Sequence, residues 1–248
     1  MAADLGVEFD PGDLERLGQF LALLLETNKT HNLTAITDPA EAWIKHIFDA
    51  LTLMPFLAAL EEERAARGDA AEGETGGLAV ADVGAGGGVP GIPLAIMMPG
   101  ARFTLVEATG KKAEFLRTAA RELGLANVEV VQERAERVGQ DHRRRREKYD
   151  AAIARALGHL AVVAELTVPL VKVGGLVLAV KGAKADQEVA ESAKALSLLR
   201  AEHVQTAPTP TGRIVVLSKV APTPRTYPRR DGEPKRAPLG LPPAARGG

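Results

Sequence analysis

The chain has 248 residues, enough for one large domain or a large and a small one, and its 46% hydrophobic and 25% charged content is that of an ordinary chain folding around a core. It contains no cysteine, which excludes disulfides, thiolate metal sites and cysteine nucleophiles. The net charge of −1 conceals an asymmetry: residues 1–77 carry 5 Lys+Arg against 15 Asp+Glu, whereas residues 213–248 carry 8 against 2, a basic end suited to meet a polyanion.

Residues 1–10 hold three acids and no base, and the longest early apolar run, residues 20–25, is too short to span a bilayer; the expectation is a cytoplasmic protein without a membrane segment. Residues 9–28 read as an amphipathic helix, with Asp10 and Pro11 at its start and Leu14, Leu17, Phe20, Leu21, Leu24 and Leu25 at helical spacing. A polar loop follows. Asp38 then caps a second helix, with Pro39 at its first position, Glu41 reaching back, and Trp43, Ile47, Ala50, Leu51 and Met54 facing inward. This helix carries Lys45, His46 and Asp49 on adjoining turns. Residues 61–77, charged and then rich in Gly and Ala, read as a fraying end and flexible linker.

Residues 78–107 are the centre of the pattern. An apolar run ending in Asp82 passes through Gly84, Gly86, Gly87 and Gly88 into a helical stretch, and a second apolar run ends on Glu107, about twenty residues past the glycines, where a nucleotide-binding βαβ unit places the carboxylate for ribose hydroxyls. A helix over 111–123 and a strand over 128–131 follow. Residues 133–146 are polar, then basic. Residues 149–155 form a fourth strand ending on Arg155; a helix over 159–170, a turn at Gly174 and Gly175, a fifth strand over 176–182 and an amphipathic helix over 186–199 come next. Two antiparallel strands, near 203–204 and over 213–220, precede a Pro- and Arg-rich tail with too few apolar residues to fold alone. Alternating strands and helices imply an α/β fold with a mostly parallel sheet and an antiparallel edge hairpin. The domain boundaries follow: 1–76 helical region with linker, 77–220 ligand-binding domain, 221–248 basic tail.

The glycines fit a dinucleotide loop at Gly84 and Gly86, but Val89 stands where a third glycine belongs. Asp82, two residues before the first glycine, suits a cationic amino group better than a pyrophosphate. S-adenosylmethionine has that group, with Glu107 for its ribose diol and Ala135 and Glu136 flanking its adenine. A nicotinamide-dependent oxidoreductase and a non-catalytic RNA-binding protein remain alternatives. Without cysteine, covalent pyrimidine C5 methylation is excluded, and Ile153-Ala154-Arg155-Ala156 replaces the Asn/Asp-Pro-Pro-Tyr/Phe tetrad of amino methylation. What remains includes ring nitrogens, which need alignment and no strong base. No His/Asp/Glu cluster has metal-ligand spacing, so no metal is expected.

The stretch 82–94, the Gly110-Lys111-Lys112-x-x-Phe115-Leu116 run, Ile153-Ala154-Arg155-Ala156 and Val180-Lys181-Gly182, with Asn32-Leu33-Thr34, His46-Ile47-Phe48-Asp49-Ala50-Leu51 and Pro224-Arg225-x-Tyr227-Pro228-Arg229, resemble the bacterial RsmG (GidB) family of small-subunit rRNA guanine methyltransferases. Residues 61–77 and 143–146 lie outside the resemblance. It implies a Rossmann-like class I S-adenosylmethionine-dependent fold and methyl transfer to N7 of guanine 527 in the 530 loop of 16S rRNA; the expected partner is 16S rRNA or a small-subunit intermediate, and a monomer is expected. By the same resemblance Gly84, Val89, Glu107, Ala108, Thr109, Ala135, Glu136 and Arg155 contact the cofactor, alongside Asp82 and Gly86. Lys181, His46, Asp49 and Asn32 line the RNA side. Arg155, Lys181, His46 and Asp49 are the catalytic candidates. Basic segments 111–112, 143–148 and 225–236 are expected on phosphates, with Trp43 and Tyr227 as the only rings for stacking.

Overall fold

The computed structural model describes residues 7–68 and 77–241. Its seven strands belong to a mostly parallel sheet with an antiparallel edge hairpin, flanked by helices, the Rossmann-like α/β class anticipated. The chain divides into two compact units, residues 1–132 and 133–248.

In the first unit, α1 (Asp13–His31) starts later than the expected residue 9, because Gly12 takes a left-handed φ of 94° and the Asp13 carboxylate, not Asp10, closes the turn by accepting from the Asp10 amide at 2.9 Å. Leu17, Phe20, Leu21 and Leu24 are buried. A continuous helical stretch then comprises α2 (Pro39–Ala42), a π-helical turn (Trp43–Phe48), α3 (Asp49–Leu51) and α4 (Met54–Arg67). Asp38 caps α2 as read, accepting from the Glu41 amide at 2.8 Å, but Glu41 does not reach back: its carboxylate pairs with Lys45 at 2.6 Å. The charged residues 61–67, read as a fraying end, are helical, since Leu57 and Leu60 bury the inner face. The linker proper, residues 69–76, lies outside the described residues. By length and composition the helical stretch Pro39–Arg67 is apolar enough to cross a membrane, yet its Leu51, Leu53 and Leu57 are packed in protein.

β1 (Ala79–Val83) leads through the glycine turn to α5 (Gly91–Met97), β2 (Arg102–Val106), α6 (Gly110–Glu122) and β3 (Val128–Val131). These strands are parallel in the order β3-β2-β1, so their carboxyl ends share one edge. The N-terminal helices are not remote from it: α1 packs on α5 and α6, and α3 on α5.

The second unit contains α7 (Ala135–Gln140), β4 (Tyr149–Arg155), α8 (Leu160–Thr167), β5 (Val171–Lys181), α9 (Ala185–Glu191), α10 (Ala193–Leu199), β6 (Ala201–Pro208), β7 (Arg213–Lys219) and α11 (Glu233–Arg236). β4 and β5 are parallel, while β5, β7 and β6 pair antiparallel. Gly174 and Gly175 do not end a turn, as the sequence suggested. They lie inside β5 at a register shift against β4, and Gly174 has a φ of 82°, the mark of a bulge. The helix expected over 186–199 breaks at Ser192 into α9 and α10. The tail is no free segment as far as residue 241: Thr223, Pro228, Pro234 and Leu239 are buried.

Candidate active site

The turn between β1 and α5 is built from glycines of two kinds. Gly84, Gly86 and Gly88 have φ of 77°, 56° and 83°, which residues with a Cβ resist. Part of the turn is closed by packing: a Cβ would come within 3.0 Å of Leu24 at Gly87 and 2.8 Å of Ile92 at Gly88. At Gly86 the nearest atom is the Gly84 carbonyl oxygen, 3.7 Å away. Gly86 is therefore where the main chain is open to a ligand.

Asp82, on β1, is 1% exposed, and its Oδ2 accepts from the Gly91 amide at 3.0 Å. A Cβ at Gly91 would sit 2.5 Å from that oxygen, so glycine there lets the carboxylate reach the first turn of α5. Asp82 thus has a structural duty beside the ligand contact anticipated for it.

Glu107 follows β2 and is 8% exposed. Its Oε2 accepts from the Gly86 amide at 3.0 Å and its Oε1 from the Thr109 amide at 2.7 Å. The Gly84 and Ala85 amides bond the Val106 carbonyl at 2.9 and 3.1 Å, tying the glycine turn to the end of β2. An ionised carboxylate accepts about four hydrogen bonds. Two are used here, so each oxygen keeps capacity for one hydroxyl, the requirement for a vicinal diol. Ala108 and Thr109 are exposed beyond it, and Val89 is 9% exposed. An open main chain at Gly86 beside a shielded diol acceptor fits an adenosyl ligand.

His46 is buried within the π-helical turn, its Nε2 lying 2.8 Å from Thr34 Oγ1, and Asp49 is buried one turn on. The loop that contains Thr34 is organised by Asn28, which sequence reasoning passed over: its Oδ1 accepts from the Leu33 and Thr34 amides at 2.6 and 2.9 Å. Asn32, exposed with a left-handed φ of 50°, begins this loop. A π-helical segment is uncommon and often marks a functional position.

In the second unit Arg155 is the half-buried last residue of β4, in register with Val180. Lys181 ends β5, and its ammonium donates to the Gly158 carbonyl at 2.6 Å and pairs with Glu188 at 2.7 Å. Ala135 and Glu136 open α7; Glu136 is 6% exposed and accepts from the Gly232 amide at 2.8 Å. Its carboxylate therefore holds the tail, a duty that the adenine contact expected of it did not include.

The arginine run divides into two roles that charge alone could not separate. Arg146 is buried and donates to the carbonyls of Gly139, Tyr227, Thr223 and Pro224 at 2.6–3.2 Å, with burial and then Arg225 pulling its pKa below the ordinary value against the pull of Glu147. Arg143 and Arg144 stay exposed. Arg229, expected on phosphate, instead forks onto the fully buried Glu165 at 2.6 and 2.8 Å, and the Glu165 hydrogen bond raises its pKa. The signal for this pair was present: Glu165 is the one charged residue in the apolar helix α8. Lys219, fully buried, bonds Glu147 at 2.7 Å and two carbonyls; desolvation lowers its pKa, outweighing the hydrogen bond and charge of Glu147. Of the two expected stacking rings, Trp43 is half-buried with its centroid 6.4 Å from Phe48, and Tyr227 is half-buried. Among the described residues no three His, Cys, Asp or Glu side chains are grouped to hold a metal ion.

Residues 13–214 match the family model described as rRNA small subunit methyltransferase G. A ribosomal RNA small subunit methyltransferase G of Sorangium cellulosum is 46% identical over 228 residues, covering 92% of this chain and 89% of the relative. One from Pelotomaculum thermopropionicum is 40% identical over 244 residues, with 96% and 95% covered. A solved structure of a Corynebacterium glutamicum protein, 17% identical, superposes with a TM-score of 0.50 over 82% of this chain and 90% of that one, a likeness of fold.

Proposed function

Because the chain belongs to the rRNA small subunit methyltransferase G family, we propose that it transfers the methyl group of S-adenosylmethionine to N7 of guanine 527 in the 530 loop of 16S rRNA. The observation that carries this reading is the Glu107 carboxylate, anchored by two amides beside the open backbone of Gly86. Glu107 holds the ribose diol, while Gly84, Gly86, Val89, Ala108 and Thr109 line the adenosyl path, and Ala135 and Glu136 flank the adenine. The bound cofactor supplies an electrophilic methyl group on a sulfonium.

The acceptor needs little from the protein. With the cofactor held there, the N7 lone pair would take the methyl group as the carbon–sulfur pair returned to sulfur, so no proton would have to leave and no covalent enzyme intermediate would be required; the chain has no cysteine to form one. Catalysis is then alignment, worth up to roughly 7–11 kcal/mol in well-oriented systems. Arg155 bonds the guanine edge or a neighbouring phosphate. His46, Asp49 and Asn32 belong to the side on which RNA enters, and exposed arginines, Arg143, Arg144 and Arg225 among them, contact phosphates. A stacked target base must also be extruded. The protein works in the cytoplasm as a monomer, on naked rRNA or a small-subunit intermediate.

Mass spectrometry of 16S rRNA from cells lacking the protein tests the assignment: the 530-loop 7-methylguanosine should vanish and return with the wild-type gene. Its retention overturns the reading, as does calorimetric binding of NAD with none of S-adenosylmethionine, which would favour an oxidoreductase.

A further inference from the structure

We propose that Glu188 is a positioning residue: through Lys181 and the Leu160 amide it fixes the turn after β4 and thereby sets the direction of Arg155. The inference rests on the role given to Arg155 above. The turn spans residues 156–159 and departs sharply from strand geometry, with Ala156 at φ 55° and Gly158 at φ 134°. A residue with a Cβ stays in the left-handed region only where its surroundings hold it there. Side chains do the holding here. The Gly158 carbonyl accepts from Lys181 Nζ at 2.6 Å, and the Leu160 amide donates to Glu188 Oε2 at 2.7 Å. The same Oε2 lies 2.7 Å from Lys181 Nζ. One carboxylate oxygen and one ammonium thus close a ring joining the end of β5, the helix α9, the last part of the turn at Gly158 and the first residue of α8.

The ring is shielded, with side-chain exposures of 10% for Lys181 and 18% for Glu188, so it is screened less than a surface pair. A second contact from α9 supports it. Glu191, three residues on and on the same helical face, is 2.9 Å from His159 Nε2, while His159 Nδ1 accepts from the Ala161 amide at 3.2 Å and caps α8. In the neutral ring the proton therefore resides on Nε2 and donates to Glu191. Ala156 follows Arg155 directly. If the clamp opens, Ala156 relaxes toward negative φ, and the peptide that orients Arg155 swings with it.

The test uses the full chain with Glu188→Ala, Glu188→Gln and Lys181→Met, each alone, with Lys181→Met again beside Glu188→Ala, and with Glu188→Ala again in an Arg155→Ala background. Glu188→Ala should lower kcat for methyl transfer to small-subunit rRNA about 10- to 100-fold, the scale of a 1 Å misplacement, with the KM for S-adenosylmethionine changed less than about twofold. Hydrogen exchange should accelerate over residues 158–160 and not in the core of α8. Glu188→Gln, which still accepts from Lys181 and Leu160, should recover most of the rate, and Glu188→Ala should cost nothing further once Arg155 is gone. An equal loss in both backgrounds, or exchange unchanged over the turn, overturns the proposal. So does a Lys181→Met loss that persists undiminished beside Glu188→Ala, because it gives the lysine a task of its own. If the wild-type chain methylates no rRNA, the functional reading fails, and the exchange measurement still decides whether Glu188 holds the turn.

Discussion

The Glu107 carboxylate accepts the Gly86 amide at 3.0 Å across 21 residues of sequence, so the acid that ends one strand props open the glycine turn that ends another. Removing the carboxylate should both release the turn and remove the diol acceptor. Hydrogen bonds to a charged group contribute about 1.5–3 kcal/mol. Glu107→Ala should therefore weaken S-adenosylmethionine binding by more than about tenfold in calorimetry, and Glu107→Gln, which keeps an acceptor oxygen, by less.

Gly91, which opens α5, and Gly86 of the turn before it should fail in different ways. Gly91→Ala forces a Cβ to 2.5 Å from both Asp82 Oδ2 and Leu105 Cδ2, an overpacking that typically costs about 1–3 kcal/mol of stability. Gly86→Ala makes only an ordinary contact, 3.7 Å from the Gly84 carbonyl oxygen, but its φ of 56° costs about 1–2 kcal/mol, and on the proposed reading its methyl obstructs the cofactor. Denaturant melts with and without S-adenosylmethionine separate them: Gly91→Ala loses stability in both, whereas Gly86→Ala loses most of the ligand-induced increment.

The arginine run predicts a second division. Arg146→Met strands four carbonyls, two of them reached within burial, and should destabilise the fold by at least about 2 kcal/mol, since each unsatisfied buried group costs about 1–3 kcal/mol. Arg143→Gln with Arg144→Gln should leave the melting temperature unchanged and reduce the salt dependence of RNA binding, by about 0.7 in the log–log slope for each phosphate no longer neutralised on single-stranded RNA. Filter binding at several salt concentrations measures it, and an unchanged slope would remove these two residues from the RNA surface.

Glu147 and Lys219 give the pH dependence. Burial alone would raise the Glu147 pKa, but the Lys219 hydrogen bond and charge, with the Thr223 amide, bring it below 4.5. A carboxylate whose folded pKa is depressed stabilises the protein above its unfolded value, and that contribution is lost as pH falls from about 4.5 through the lower folded value. Glu147→Gln should flatten this acid limb in urea titrations. At neutral pH it should also cost about 3 kcal/mol, the low end for breaking a buried pair, because Glu147 is one-third exposed.

Much of the backbone that frames the candidate site was legible in the order of the amino acids. β4 runs from Tyr149 to Arg155 as read, because a strand with apolar residues throughout and turn residues after it has few alternatives. Asp38 caps its helix because the donor it satisfies is three residues away. The glycine turn and Glu107 were found for the same reason: positive φ and a βαβ period are local demands. By contrast, Gly174 looks like any turn glycine until the register of β4 beside it shows a bulge.

The sequence by itself determined the order of strands and helices, the place of the glycine turn and which carboxylate follows β2, since these follow from periodicity and backbone freedom over a few residues. Only the tertiary structure decided what the charges do. Arg146, Arg229 and Glu136 find partners 64–96 residues away, and a side chain's charge is the same whether it faces phosphate or a buried carbonyl; proximity in space, which no local pattern encodes, selects between them.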